Sequence, residues 1–155
     1  MASSEFSVPL RRMRAHGRVV FRVQLILDIR TAQYSFTSLP FLFDTGTQLS
    51  MISIAEAQRS SIPFTTARPV SVTGVTGKGL VPAYLSFLWL SFPALPQWQF
   101  ETLACFTPYP LKRSLLSLSD VHSNFLFRTG PRRPGFPDGS LIFRLRRRHQ
   151  GQVRP

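Results

Sequence analysis

The sequence has little cysteine and few acidic residues. Its 155 residues contain one cysteine and 7 Asp or Glu against 19 Lys or Arg, which gives a formal net charge of +12. The single Cys105 excludes an intramolecular disulfide framework and any cysteine-rich zinc site, and it fits a reducing compartment. We therefore expect a cytoplasmic protein with no metal site.

An apolar run long enough to cross a membrane is also missing. No charged residue lies in 79–100, but Pro82, Pro93 and Pro96 limit the uninterrupted run to 83–92. Its length of about ten residues is half of what a spanning helix needs and suits a strand buried on both faces. We predict such a strand and expect no membrane association. A membrane-associated protein is an alternative that rests on this run alone.

Positive charge is concentrated towards the two ends of the chain. Five arginines fall within 11–22 and seven within 128–148. This pattern is typical of a solubilising surface, or of a surface that attracts nucleic acid or another acidic partner. The absence of zinc-finger spacing, of an aromatic RNA-binding signature and of a basic heptad region argues against nucleic acid. The alternative kept open is a non-catalytic basic β domain that binds nucleic acid or an acidic protein.

Short runs of β-branched and aromatic residues predict a mostly β domain of about seven strands and two short helices. We assign 1–15 to a mobile N-terminal tail, 16–148 to the domain and 149–155 to a basic C-terminal tail. The predicted strands, hairpin and short apolar runs cover 18–28, 34–37, 39–43, 51–52, 70–80, 83–92, 100–106, 115–116 and 140–145. Ser53 and Ser119 have the spacing of helix N-caps, the second for a helix through Phe127.

The glycine-rich segment Val70–Leu80 alternates apolar and polar residues on both sides of its centre. Gly74, Gly77 and Gly79 do not have the spacing of either common phosphate-binding loop, and strand patterning rather than a helix follows them. The segment therefore favours a β-hairpin with a flexible tip over a nucleotide-binding loop.

Among the seven acidic residues, Asp44 has the least ordinary setting. It follows the apolar run Leu39–Phe43 and precedes Thr-Gly-Thr, so a carboxylate is held where a buried strand ends in a tight turn. The three histidines and Cys105 lie in no motif of a thiol protease or a metal site. We therefore place the chemistry at Asp44.

The segment Phe41-Leu-Phe-Asp-Thr-Gly-Thr-Gln-Leu-Ser-Met-Ile-Ser53 resembles the active-site segment of the retropepsin-like, or retroviral-type, aspartic proteases. Two later features agree in order with that family: a glycine-tipped hairpin at Val72–Leu80, where the family has its flap, and Leu115-Leu116-Ser117 before a terminal helix. The resemblance covers about residues 18–145. It implies a compact, closed β domain with one or two short helices.

Three positions depart from the family pattern. Ser117 stands where a glycine is usual, Leu118 where an arginine is frequent, and Gln48 where viral members carry the acidic partner of that arginine. Both halves of the ion pair are replaced together, so neither leaves an unpaired charge.

The resemblance further implies an aspartic endopeptidase that acts on extended peptides without a cofactor. Two carboxylates about 3 Å apart share one proton, so one acts as general base on a water while the other protonates the carbonyl oxygen. One Asp-Thr-Gly supplies one carboxylate, which implies a homodimer with an Asp44 from each chain. The resemblance assigns catalytic roles to Asp44, Thr45 and Gly46. It assigns substrate contacts to Thr47, Val72, Gly74, Val75 and Gly77.

Overall fold

Twelve strands and two short helices make up the part of the chain that the computed structural model describes, residues 5–44, 46–73 and 79–146. The strands are β1 Glu5–Pro9, β2 Arg11–Ala15, β3 Arg18–Arg22, β4 Gln24–Arg30, β5 Phe36–Asp44, β6 Met51–Ser53, β7 Pro69–Val72, β8 Val81–Ser91, β9 Gln99–Thr107, β10 Ser114–Ser117, β11 Phe125–Gly130 and β12 Ser140–Leu145. The helices are α1 Ile54–Arg59 and α2 Leu118–Asn124. Neither helix is long enough to cross a membrane.

The larger sheet closes on itself. Its strand order is β4-β5-β10-β6-β9-β8-β7, and β4 also pairs with β8 through Asp28 opposite Ser91 and Ile29 opposite Leu90. Six strands therefore form a ring, and β7 extends it as the hairpin partner of β8. The prediction of a closed, mostly β domain is confirmed.

Strand alternation sends one face of the ring into the core. In β4, Leu25, Leu27 and Ile29 are buried, while the residues between them are more exposed. The paired strand β5 buries Leu39 and Phe41 in the same way. This two-residue period is what allows a sheet to cover a core with one face and meet solvent with the other.

Residues 5–15 form strands, so the prediction of a mobile tail is wrong for this part of the chain. β1 pairs antiparallel with β12, and β12 pairs antiparallel with β11, which gives a three-stranded sheet. Phe6 stacks on Phe143 with ring centroids 5.2 Å apart and lies 4.7 Å from the ring of Phe92. The sequence did not show this because the partner strand lies more than 130 residues away.

β12 is the central strand of this sheet. Both sides of β12 are paired within the chain, one with β1 and the other with β11. In the described residues, β1 and β11 each pair on one side only.

The first helix begins as predicted and the second does not. Ser53 caps α1 by accepting from the backbone N–H of Glu56. The cap of α2 is Ser117, whose hydroxyl accepts from the N–H of Asp120 at 3.2 Å, rather than Ser119. The helix also ends before Phe125, which is fully buried in β11 opposite Leu145. Tertiary pairing thus overrides the helical spacing of residues 121–126.

The strand predicted at 83–92 is present as β8, but it is not buried on both faces. Phe87 is 56% and Trp89 38% exposed on its outer face. The predicted hairpin is present as β7 and β8, and its tip, 74–78, lies outside the described residues. The basic C-terminal tail, 149–155, also lies outside them.

Candidate active site

Both oxygens of the Asp44 carboxylate accept hydrogen bonds from the turn that follows β5. Oδ1 accepts from the backbone N–H of Gly46 at 2.9 Å, and Oδ2 accepts from the hydroxyl of Thr47 at 3.1 Å. The side chain is half-buried at the end of the strand. Its own turn therefore fixes the orientation of the carboxylate through two hydrogen bonds.

Gly46 supplies a backbone donor to this turn. A Cβ at this position would lie 3.4 Å from Asp44 Oδ1, which is ordinary van der Waals contact. Gly46 is also absent from the residues with positive φ. The turn therefore depends on the backbone N–H of residue 46, whereas the absence of a side chain there matters less.

Parallel pairing brings α2 next to Asp44. β10 runs parallel to β5 with Ser117 opposite Asp44, so both strands end at the same edge. Ser117 is fully buried and starts α2 immediately beyond that edge. The helix therefore packs behind the segment that carries the carboxylate.

A second carboxylate, that of Asp120, joins this helix to the segment after Asp44. Its Oδ2 accepts from the N–H of Ser50 at 3.3 Å, from the Ser50 hydroxyl, and from the Ser117 hydroxyl at 2.8 Å. Its Oδ1 accepts from the hydroxyl of Thr102 in β9. Ser50 Oγ in turn accepts from the N–H of Ser117 at 3.0 Å. These bonds form one network, the Asp120 network, across three segments.

No role at the site was predicted for Asp120 from the sequence. A signal for its cap partner was nevertheless readable, because Ser117 and Asp120 have the Ser-x-x-Asp spacing of a capping box. Its bonds to Ser50 and Thr102 join residues 70 and 18 positions away, which no local pattern reports.

The three departures from the family pattern fit this arrangement. Ser117 caps α2 and donates to Asp120, so its hydroxyl is used twice. Gln48 is exposed and Leu118 is half-buried. The hydroxyls and the Asp120 carboxylate thus connect the two segments that the family pattern connects by an arginine and an acid.

The structure brings together three of the residues predicted for the site, Asp44, Gly46 and Thr47. Val72 is half-buried at the end of β7, opposite Val81. The remaining predicted site residues lie outside the described residues, and their roles stay predictions: Thr45, Gly74, Val75 and Gly77.

Cys105 is part of the interior rather than of a reactive site. It is fully buried in β9 and packs with Met51 and Ala83. Burial raises the pKa of its thiol, which lowers the thiolate fraction and hence its reactivity. Among residues 5–44, 46–73 and 79–146, no group of three His, Cys, Asp or Glu side chains is placed to hold a metal ion.

Comparisons with solved structures identify the fold. One match is the EIAV protease complexed with the inhibitor HBY-793, with a TM-score of 0.53 and 17% identity over 72% of this chain and 92% of that one. The fold is retropepsin-like. A retropepsin-like aspartic protease from Rickettsia conorii matches with a TM-score of 0.56 and 14% identity over 90% of this chain and 89% of the other. No family model and no curated protein matches the sequence.

Proposed function

We propose that this retropepsin-like protein is an aspartic endopeptidase whose active site is completed by a second copy of the chain. The observation that carries the proposal is the Asp44 carboxylate, held by the N–H of Gly46 and the hydroxyl of Thr47 at the end of a barrel strand. The retropepsin-like fold supports the same assignment, since both solved structures compared above are proteases.

The second carboxylate has to come from outside the chain, because the other acidic side chains are engaged or placed elsewhere. Asp120 is used by its hydroxyl network. The remaining acids are distributed as follows: Glu5 pairs with Arg128, Asp28 with Ser38, Glu56 with Arg59 and Asp138 with the backbone of Arg12, while Glu101 lies opposite Trp89. Two copies of Asp44 related by a two-fold axis would supply the pair.

Such a pair has a defined chemistry. Two carboxylates about 3 Å apart cannot both carry a full negative charge at low cost, so they hold one proton between them. The ionised Asp44 takes a proton from a water as it attacks the peptide carbonyl, and the protonated Asp44 of the partner donates to the carbonyl oxygen. The bonds from Gly46 and Thr47 keep each carboxylate oriented while its charge changes.

The three-stranded sheet offers edges for the association. In the described residues, β1 and β11 each have one side without a strand neighbour, and such edges pair readily with another chain. We infer that the homodimer is formed through one of these two edges.

A mixing experiment tests the shared site. Asp44→Asn keeps the side-chain volume but cannot form the proton-sharing pair, so the variant should fold and be inactive. Wild-type and variant chains are denatured together, refolded at a fixed total concentration and assayed for cleavage of denatured casein. If two Asp44 side chains are needed, an equal mixture should retain about one quarter of the wild-type activity, because only dimers with two wild-type chains work.

The competing result is equally clear. An equal mixture that retains about half of the activity would show that one chain suffices. An Asp44→Asn variant that cleaves at the wild-type rate would remove the aspartic protease assignment. Circular dichroism of the refolded samples controls for loss of folding.

A further inference from the structure

The hairpin β2–β3 is a separate two-stranded ribbon. Its strands pair with each other from Arg11 opposite Arg22 to Ala15 opposite Arg18, and in the described residues they join no other sheet. The two-residue turn His16–Gly17 has φ angles of 49° and 73°, as the turns that suit tight hairpins require. The ribbon is therefore held by its own turn and ladder and is exposed along most of its length.

The arginine side chains of the ribbon form no ion pair with a described carboxylate, and the one acid that bonds the ribbon, Asp138, accepts from the backbone N–H of Arg12. The ribbon's five arginines are exposed, and no described carboxylate lies within 4 Å of any of their guanidinium groups: Arg11, Arg12, Arg14, Arg18 and Arg22. Arg11 and Arg22 are directly opposite each other in the ladder. Like charges in that position repel, so this pair costs stability until an anion binds between the two side chains.

The Arg11–Arg22 pair lies beside the candidate active site. Only Val23 separates β3 from β4, and Val23 O accepts from the N–H of Phe43 at 2.9 Å. The ladder of β4 and β5 ends with Gln24 opposite Leu42. Because Arg22 precedes Val23 and Asp44 follows Phe43, this hydrogen bond brings the backbone at Arg22 close to the backbone at Asp44.

We propose that the Arg11–Arg22 pair binds an acidic side chain of the peptide, so that the protein selects substrates with Asp or Glu near the cleaved bond. This inference rests on the proposed endopeptidase function. Two guanidinium groups around one carboxylate form charge-assisted, bidentate hydrogen bonds and relieve the repulsion between the arginines. Four residues of an extended peptide cover roughly 13 Å at about 3.3 Å per residue, so we expect the selected acid within about four positions of the bond.

The position of the pair favours a peptide over a nucleic acid. Phosphates also attract arginine, and a basic ribbon fits a groove of DNA. Here, however, the like-charged pair is next to the carboxylate that performs the proposed chemistry. A polyanion with many phosphates would bring negative charge close to the Asp44 carboxylate. A single acidic side chain would contact only the two arginines.

The first test measures cleavage specificity. A proteome-derived peptide library is digested with the wild-type protein, and the cleaved bonds are identified by mass spectrometry. Asp and Glu should be enriched within four positions of the bond, and Arg22→Gln should reduce this enrichment about tenfold, as expected for one charge-assisted contact. Arg14→Gln, opposite Val19 on the same ribbon, removes the same charge and should retain the enrichment.

Cleavage without acidic enrichment, or enrichment that survives Arg22→Gln, would overturn the substrate preference and leave the endopeptidase assignment intact. Absence of any cleavage would count against the endopeptidase assignment instead. The subsite is then tested separately with the Asp44→Asn variant and two fluorescein-labelled octapeptides, one alternating Ala and Glu and the other alternating Ala and Gln.

Anisotropy should show about tenfold tighter binding of the Glu peptide, lost in the Asp44→Asn/Arg22→Gln double variant and weakened by salt. Equal binding of the two peptides would refute the subsite. The subsite would also be refuted if an oligonucleotide bound more tightly than the Glu peptide and its affinity fell in the double variant. The ribbon would then be a nucleic-acid surface. If sedimentation showed that Arg22→Gln no longer self-associates, the Arg11–Arg22 pair would belong to the dimer interface instead of a substrate subsite.

Discussion

Ser50 is joined to Asp120 by two hydrogen bonds, one from its backbone N–H at 3.3 Å and one from its hydroxyl, both to the same carboxylate oxygen. Ser50 is fully buried and lies six residues after Asp44. The bonds therefore anchor the loop that follows Asp44 to the first turn of α2. The position of this loop thus depends on Asp120, which lies far outside the Asp-Thr-Gly segment.

Replacing Asp120 should therefore cost more stability than replacing another acid. Asp120→Ala leaves the hydroxyls of Ser50, Ser117 and Thr102 without their acceptor, and we expect a loss of about 2–4 kcal/mol in the free energy of unfolding. Urea denaturation measures this change. Asp28→Ala is the matched control, because Asp28 accepts from the exposed Ser38 and its loss should cost less than about 1 kcal/mol. Equal losses would show that the network adds nothing.

Thr47 allows the orientation of the Asp44 carboxylate to be tested without altering the carboxylate. Thr47→Val removes the hydroxyl that donates to Oδ2 at 3.1 Å and keeps the shape of the side chain. We expect kcat to fall about tenfold to a hundredfold with KM little changed, and a stability loss of about 1 kcal/mol. Thr47→Ser should restore most of the rate, since it restores the donor. If Ser and Val variants are equally slow, the methyl group rather than the hydroxyl is what matters.

Cys105 should be unreactive in the folded protein. Burial raises the pKa of its thiol, so at pH 8 a smaller fraction is thiolate than in an unfolded chain, and solvent reaches it only after opening. Iodoacetamide labelling followed by mass spectrometry should be slow in buffer and fast in urea. Because the pKa of the thiol is raised, the rate at which Cys105 is labelled in the native state should rise further as pH increases. Equally fast labelling in both solvents would place the thiol at the surface.

The local signals of the sequence were sufficient for the barrel. The apolar run before Asp44 and the capping residue Ser53 each act over a few residues, and both predictions are confirmed. The single strand predicted at 18–28 is divided at Val23 into β3 and β4, which belong to different sheets. The resemblance of the Asp-Thr-Gly segment to the retropepsin-like proteases predicted the fold, and the bonds of Gly46 and Thr47 to Asp44 are local to that segment.

The features that the sequence missed all depend on distant partners. β1 is a strand because Phe6 packs on Phe143 and Phe92, and β12 is central because it pairs with two strands from opposite ends of the chain. Ser117 rather than Ser119 caps α2 because β10 ends beside β5 and places its last residue there. That choice also had a local signal, since Ser117 has an acid three residues later and Ser119 has His122 there.

The pairing of β1 with β12 also sets an order for folding during synthesis. Glu5 lies opposite Arg144, so β1 has no partner until β12 has left the ribosome. Until then Phe6 and Val8 have no sheet to cover them, and chaperones that bind exposed apolar segments have a target in β1. The barrel strands β4 and β5, joined by a short connection, have no such delay. Assembly of the three-stranded sheet, and with it any association through its edges, thus follows the pairing of β4 and β5.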